Sequence, residues 1–172
     1  MTGIQQGRFY KQIASNLPII LLFISVLNEF DFNYFGFDYF SFNFPYILLF
    51  YWSLKKSQSL GYGLIFIAGL VNDVVLSIPL GVSSLSYLLI CGFAAYLRNI
   101  TLRPNLIKDW IFFLITILVV NSFSYILLTL IFSFQLNYFD LLINVTFTFI
   151  LYLIFSYLFG LYDKLIIGRS NV

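Results

Sequence analysis

A carboxylate inside an apolar run, that of Asp73, is the group in this chain best placed to do chemistry away from water. An ionisable group in a bilayer is costly, so it usually faces protein or water and carries a role. Ser77 and Pro79 follow, and they end the helix because proline lacks an amide hydrogen and disfavours helix before it. Gly81 permits backbone angles that other residues resist. The stretch Gly69–Gly81 therefore predicts two membrane helices joined by a tight turn.

The depth of Asp73 favours a structural role over an ion or proton relay. Four residues of helix place it roughly 6 Å from Ser77, nearer the outer interface than the midplane. A relay would use a midplane charge with partners along a path, and no second ionisable residue falls within the predicted spans. We therefore expect Asp73, beside Asn72, to accept hydrogen bonds from a neighbouring helix or from amides of the turn, with transport as the alternative.

Other catalytic and metal-binding patterns are missing from the sequence. The chain has no histidine and a single cysteine, Cys91, so it can form neither an internal disulfide nor a Cys/His metal site. It contains no G-x-S-x-G, no H-E-x-x-H and no phosphate-binding glycine loop. We expect a protein that is not an enzyme and uses no cofactor, with Cys91 as a small packing residue.

Composition places the chain in a membrane. It is 61% hydrophobic and 9% charged, with a mean hydropathy of +0.96, which is unlike a soluble domain. Hydropathy predicts one all-α membrane domain, residues 1–172, with an uncleaved first span. The predicted spans are Ile13–Leu27, Asn43–Leu54, Leu60–Leu76, Val82–Leu97, Trp110–Phe134 and Leu141–Leu161.

Small residues predict that the third and fourth spans pack closely, because they let helix backbones approach in lipid. They are Gly61, Gly63, Ala68 and Gly69 in the third span and Ser84, Cys91, Gly92, Ala94 and Ala95 in the fourth. Asn121, Ser122 and Ser124 of the fifth span can hydrogen-bond between helices. Asp109 suits the start of the fifth helix, and Asp140 is predicted to cap the sixth.

An aromatic segment, Phe30–Tyr46, follows the first span and has ten aromatic residues among seventeen. Aromatic side chains with polar neighbours favour the headgroup region. We interpret the segment as an interfacial belt, with a docking surface for a partner as the alternative.

The charges predict an orientation. With a cytoplasmic N-terminus, all nine Lys and Arg residues fall in inner segments, as the positive-inside rule requires. Five of the seven acidic residues fall on or toward the outside. Both termini are then cytoplasmic. The basic residues are spread over short loops and tails, so they indicate topology and contact with anionic lipid and not nucleic-acid binding.

The stretch from Tyr51 to Leu89 resembles the rod shape-determining protein MreD family. The residues that carry the resemblance are Tyr51, Trp52, Ser53, Leu54, Gly61, Phe66, Gly69, Leu70, Asp73, Pro79, Leu80, Gly81, Leu85 and Tyr87. They contain G-L-x-x-D followed by P-L-G. The chain departs from the pattern at Ser77, where the family often has glycine, and at Ser57, where a proline often follows the Tyr-Trp pair.

The resemblance implies a non-enzymatic subunit of the bacterial elongasome, which inserts peptidoglycan along the side wall from the cytoplasmic membrane. It implies association with the bitopic protein MreC and, through it, with actin-like MreB, the glycosyltransferase RodA and a penicillin-binding transpeptidase. It also implies a compact six-helix bundle similar to the S components of energy-coupling factor transporters. The expected structural and interaction residues are Trp52, Gly69, Asn72, Asp73, Pro79, Leu80 and Gly81.

Two functions remain open on these observations. The first is a membrane scaffold that holds partner helices on its surface, chiefly through the aromatic segment and the third and fourth helices. The alternative is a small-molecule binding S component of a transporter, which needs a pocket with convergent polar groups. Asp73, Asn72, Asn121 and Asn144 are the candidates for such a pocket.

Overall fold

The computed structural model describes residues 16–27, 41–55, 60–101, 105–133 and 137–167, with side chains as far as Lys164. These ranges form helices and contain no strand, which confirms the all-helical prediction. The helices are α1 Asn16–Leu27, α2 Phe44–Lys55, α3 Tyr62–Val75, α4 Val82–Ile100, α5 Leu106–Ile126 and α6 Tyr138–Ile167. α5 continues as a π-helix, Leu127–Ile131. The polar start of the chain and residues 28–40 of the aromatic region lie outside the described residues.

Two of the described helices are long and apolar enough to cross a membrane. They are α5 with its π-helical continuation, Leu106–Ile131, and the Tyr138–Lys164 part of α6. Both extend beyond the predicted spans at the N-terminal side, by four and three residues. α1 and α3 are apolar but shorter. The crossing by the other four helices therefore stays a prediction.

Asparagine residues cap three of the helices. The side chains of Asn43, Asn105 and Asn137 accept hydrogen bonds from the amides of Tyr46, Ile107 and Phe139, at 3.3, 3.1 and 3.2 Å. Each bond satisfies an amide that the helix itself leaves free. The prediction that Asp140 caps α6 is therefore wrong. Asp140 lies in the first turn of α6, where its charge is favourable toward the helix dipole.

α2 is enclosed by the other helices. All of its residues from Phe44 to Leu54 are buried, although the helix has only 12 residues. The rings of Phe44 and Tyr46 pack against Phe155 and Tyr87. The C-terminal end of the aromatic segment is thus part of the core, because these residues form the first turn of α2.

Contacts along α2 define the directions of its neighbours. Tyr46 meets Tyr87 near the start of α4, and Arg98 near the end of α4 bonds the carbonyl of Ser53. α4 therefore runs parallel to α2. α6 is also parallel, because its contacts advance from Thr148 with Asn43 to Phe159 with Trp52.

α5 runs in the opposite direction, since Phe50 packs on Phe113 and Lys55 binds Asp109. The C-termini of α2 and α4 thus meet the N-terminus of α5. We call this the basic end, because it carries Lys55, Arg98 and Lys108, with Lys164 at the same end of α6. The opposite end, which holds the connection of α3 to α4, is the turn end.

Candidate functional site: the α3–α4 hairpin

The turn between α3 and α4 uses left-handed backbone angles at two residues. α3 ends at Val75, and Ser77 follows with φ of 54°. The amide of Ile78 then donates to the carbonyl of Asp73 at 3.0 Å. Gly81 takes φ of 104° and is the N-cap of α4. The predicted re-entry turn is thus present, with Ser77 in a conformation that glycine adopts more readily.

Asp73 caps α4 from the neighbouring helix. Its Oδ2 accepts the amide of Gly81 at 2.6 Å, and its Oδ1 accepts the amide of Ser83 at 2.8 Å. The side chain is completely buried. Gly81 has no side chain that could cap the helix, so a carboxylate from α3 takes this role and also faces the positive end of the α4 dipole. The expectation that Asp73 accepts amides of the turn agrees with this geometry.

Two further hydrogen bonds connect the helices of the hairpin. The side-chain amide of Asn72 donates to Ser83 Oγ at 2.8 Å. The hydroxyl of Ser84 donates to the backbone carbonyl of Phe66 at 2.9 Å. Sequence reasoning missed Ser83 and gave Ser84 only a packing role, although three serines in the first turns of an apolar helix were a signal.

Close packing in the hairpin centres on Gly69. A Cβ at this position would overlap the backbone of Ser84. Ala68 and Ala94 are buried, and so is Cys91, as predicted. The prediction is wrong for Gly63 and Gly92. Both are exposed with open space where a Cβ would stand, because they lie on the outer sides of their helices.

Hydroxyl groups connect the other side of α4 to α5. Ser86 Oγ and Ser124 Oγ are 2.7 Å apart, and each also lies within hydrogen-bonding distance of a carbonyl in its own helix. Since a hydroxyl has one hydrogen, one serine donates across the interface and the other to its own helix. The Tyr46 side chain lies beside both serines. Of the polar residues predicted on α5, Ser124 makes this contact, whereas Ser122 is exposed.

The basic end holds an ion pair that the sequence did not reveal. Lys55 Nζ lies 3.3 Å from Asp109 Oδ2, with 31% and 4% of the two side chains exposed. Arg98 donates to the carbonyl of Ser53 at 3.1 Å, which places a cation at the C-terminus of α2. Asp109 lies in the first turn of α5, as predicted, but it also has this second role.

The side chains of the remaining predicted site residues make no hydrogen bond in the hairpin, where Pro79 contributes only its carbonyl, which accepts the Val82 amide at 3.5 Å. Trp52 is buried in α2, where its ring lies 4.3 Å from that of Phe159. Pro79 is half-buried, and Leu80 is 68% exposed at the tip of the turn. Asn144 donates to Ser41 Oγ at 3.2 Å.

The chemistry available at the hairpin is hydrogen bonding between helices. Each carboxylate oxygen of Asp73 already accepts a backbone amide. Within the described residues, no group of three or more His, Cys, Asp or Glu side chains could hold a metal ion. In that same part of the chain, every buried side-chain nitrogen and oxygen has a hydrogen-bond partner.

The apolar composition and the two long apolar helices are those of a helical membrane protein. The family model described as the rod shape-determining protein MreD matches residues 10–162. The chain therefore belongs to the MreD family, as the resemblance of Tyr51 to Leu89 implied, and the match covers nearly the whole chain. No curated protein and no solved structure matched.

Membership in this family assigns the chain a role in rod-shape determination at the membrane. It also implies involvement in the shape-determining complex that has partners of the MreC and MreB type.

Proposed function

We propose that this protein is a non-enzymatic membrane scaffold that binds an MreC-like bitopic protein. Through that partner it is connected to MreB, RodA and a penicillin-binding transpeptidase of the peptidoglycan machinery. We further propose that it is a single polytopic domain in the cytoplasmic membrane, with six crossings, both termini cytoplasmic and a bundle similar to the S components of energy-coupling factor transporters.

The observation that carries the scaffold function is the internal use of the hairpin's polar groups. Asp73 caps α4, Asn72 bonds Ser83, and Ser84 bonds Phe66. These bonds join α3 to α4, and both Asp73 oxygens are used within the hairpin as acceptors of backbone amides. A scaffold needs such a fixed surface, since a partner helix in lipid is bound by close packing with little hydrophobic driving force.

The enclosure of α2 limits where a partner can bind. Because Phe44–Leu54 is buried on all sides, a partner cannot contact it without opening the bundle. The outward sides of α3, α5 and α6 carry exposed apolar residues such as Ile67, Ile115 and Ile154. A partner helix would therefore bind these outer helices, and the hairpin would set the position of α3.

The proposed six-crossing topology is supported by the helix directions. α2, α4 and α6 run one way and α5 the other, and α3 is antiparallel to α4 in the hairpin. Helices that alternate in direction place successive connections at opposite ends. The cations at the basic end then correspond to the cytoplasmic side.

The alternative, a small-molecule binding S component, has less support. Asp73 and Asn72 bond the start of α4, whereas Asn144 bonds Ser41 near the start of α2. Three of the four candidate residues are thus partnered within the protein. Equilibrium binding by the purified protein separates the two functions, and a tight, saturable vitamin-like ligand would overturn the scaffold.

The test of the scaffold is the change Asp73→Ala, with Asp140→Ala as the matched control at an exposed acid. Asp73→Ala leaves one buried and one partly buried amide without an acceptor, so we expect a loss of about 2–4 kcal/mol in stability. Affinity capture from detergent should recover less MreC-like partner or less of the protein itself. Asp140→Ala should leave both recoveries unchanged.

Gly81→Val extends the same test to the turn, because a β-branched residue resists φ of 104°. We expect the hairpin to be disrupted and partner recovery to fall. Unchanged recovery of protein and partner for both Asp73→Ala and Gly81→Val would remove these residues from the proposed function.

A further inference from the structure

The α3 side of the bundle is shorter than the rest of the protein. α3 has 14 residues and α4 has 19, which correspond to about 21 and 28 Å of helix. Leu106–Ile131 and Tyr138–Lys164 have 26 and 27 residues, or about 40 Å. A typical hydrocarbon core is about 30 Å thick. α3 is thus shorter than the bilayer, whereas α5 and α6 are longer.

The missing length of α3 lies at the basic end. The closest backbone approach in the hairpin is between Gly69 and Ser84, so these two residues lie at the same level of the bundle. α3 has seven residues before Gly69, whereas α4 has 16 after Ser84, so α3 begins roughly 13 Å short of the end of α4. The last turn of α4 carries Arg98, which bonds Ser53 beside Lys55 and so marks the basic end. The start of α3 lies deeper than that level.

The start of α3 requires a polar environment at this greater depth. Gly61 provides no side-chain cap, so the first amides of α3 lack that acceptor. Such amides are unfavourable in hydrocarbon and need water or lipid headgroups. Tyr62 is exposed at the same level, and tyrosine favours the headgroup region. The polar boundary of the membrane therefore has to reach Tyr62.

The rest of the exposed α3 surface is suited to acyl chains. Its large exposed side chains are Tyr62, Leu64, Phe66, Ile67, Val74 and Val75. No Lys or Arg occurs between Leu60 and Leu76, so no long cation on α3 can extend to a more distant interface. A helix that is too short and lacks such residues is accommodated by a thinner bilayer or by oligomerisation.

We propose that the α3 face binds a locally thinned bilayer and selects phospholipids with short acyl chains in the leaflet at the basic end. The α5–α6 face contacts lipid of ordinary thickness. The protein therefore presents two different membrane thicknesses on its two sides. This property rests on the proposed crossing of the membrane by α3 and does not depend on the proposed partners.

The test measures which lipids touch each face of the purified protein. In a Cys91→Ala background, a bimane label is attached at Ile67→Cys on α3 or at Ile154→Cys on α6, two isoleucines that are 49% and 54% exposed. The vesicles contain equal amounts of dimyristoleoyl and dierucoyl phosphatidylcholine. Either the short or the long lipid carries bromine, which quenches bimane on contact.

The expected result is that quenching at Ile67→Cys favours the short-chain lipid by about twofold or more relative to Ile154→Cys. Equal preferences at the two positions would overturn the proposal. Shielding of the Ile67→Cys label from both lipids would also overturn it, because a second copy of the chain would then cover the face. If Ile67→Cys fails to fold, Phe66→Cys replaces it on the same exposed side.

Discussion

At the scale of single residues, the hairpin depends on a carboxylate and two left-handed backbone positions. Gly81 is needed for its φ of 104°, and a glycine cannot cap a helix with a side chain. Asp73 supplies the cap from α3. The left-handed backbone angle at the start of α4 therefore accounts for both residues, since it requires glycine and glycine requires a cap from elsewhere. Sequence could predict this pair because an acid in an apolar run must find donors nearby, and the turn's amides were the nearest ones.

Ser77 is the residue at which the turn holds strain. Its φ of 54° brings the Cβ close to its own backbone, a cost that glycine does not have. We expect Ser77→Gly to stabilise the protein by about 0.5–1 kcal/mol, net of the greater freedom of glycine in the unfolded chain. The measurement is denaturant unfolding of the purified protein in detergent micelles.

Ser122→Gly is the control for this change, because Ser122 is exposed within a regular helix. There we expect a small loss of stability, since glycine weakens a helix. A lower unfolding midpoint for Ser77→Gly would contradict the assignment of strain to Ser77.

At the scale of elements, the sequence predicted the pairing of α3 with α4 but not the contacts among the other helices. The α3–α4 pair was predictable because its small residues and its turn are local in sequence. The Lys55–Asp109 pair was not, since it depends on the register of α2 against α5, which are separated by the whole hairpin. Gly63 and Gly92 were misassigned because residue size does not reveal which side of a helix faces its neighbour.

Gly69 tests the closeness of α3 and α4. In Gly69→Ala the added methyl group overlaps the backbone of Ser84, which cannot move as a side chain does. We expect a loss of about 2–3 kcal/mol in unfolding free energy. Gly63→Ala is the matched control, as its Cβ meets open space, and it should be neutral or gain up to about 1 kcal/mol. Similar losses for both changes would refute the close contact.

The ion pair at the basic end is tested by a double-mutant cycle with Lys55→Ala and Asp109→Ala. Asp109 is buried, so its loss should cost about 1–3 kcal/mol, a range that allows for solvent around the partly exposed Lys55. The two changes should be non-additive by about 1 kcal/mol. Additive losses in denaturant unfolding would show that the pair contributes nothing to the association of α2 with α5.

At the scale of the whole molecule, charge and helix direction agree. The described cations Lys55, Arg98, Lys108 and Lys164 share one end, and Asp140 lies at the other. Hydropathy and charge predicted this separation without any knowledge of packing, because the membrane sorts apolar segments and cations directly by these two properties. Hydropathy and charge could not predict that α2 lies at the centre, because a buried helix and a lipid-facing helix have similar composition.

Orientation is tested with a membrane-impermeant maleimide in intact and permeabilised cells. In a Cys91→Ala background, Lys108→Cys and Lys164→Cys should react only after the inner face is opened, whereas Asp140→Cys should react in intact cells. Labelling that placed Lys55 and Arg103 on opposite faces of the membrane would rule out the proposed six-crossing topology.

The complete enclosure of α2 has a consequence for biosynthesis. Its 12 residues cover about 18 Å, less than the hydrocarbon core, and they leave the ribosome before α4, α5 and α6 exist. α2 must therefore remain in contact with α1 or with the insertion machinery until α6 has been inserted. Nascent chains that end before α6 would leave the aromatic side of α2 exposed. Quality-control proteases would then have access to these incomplete chains.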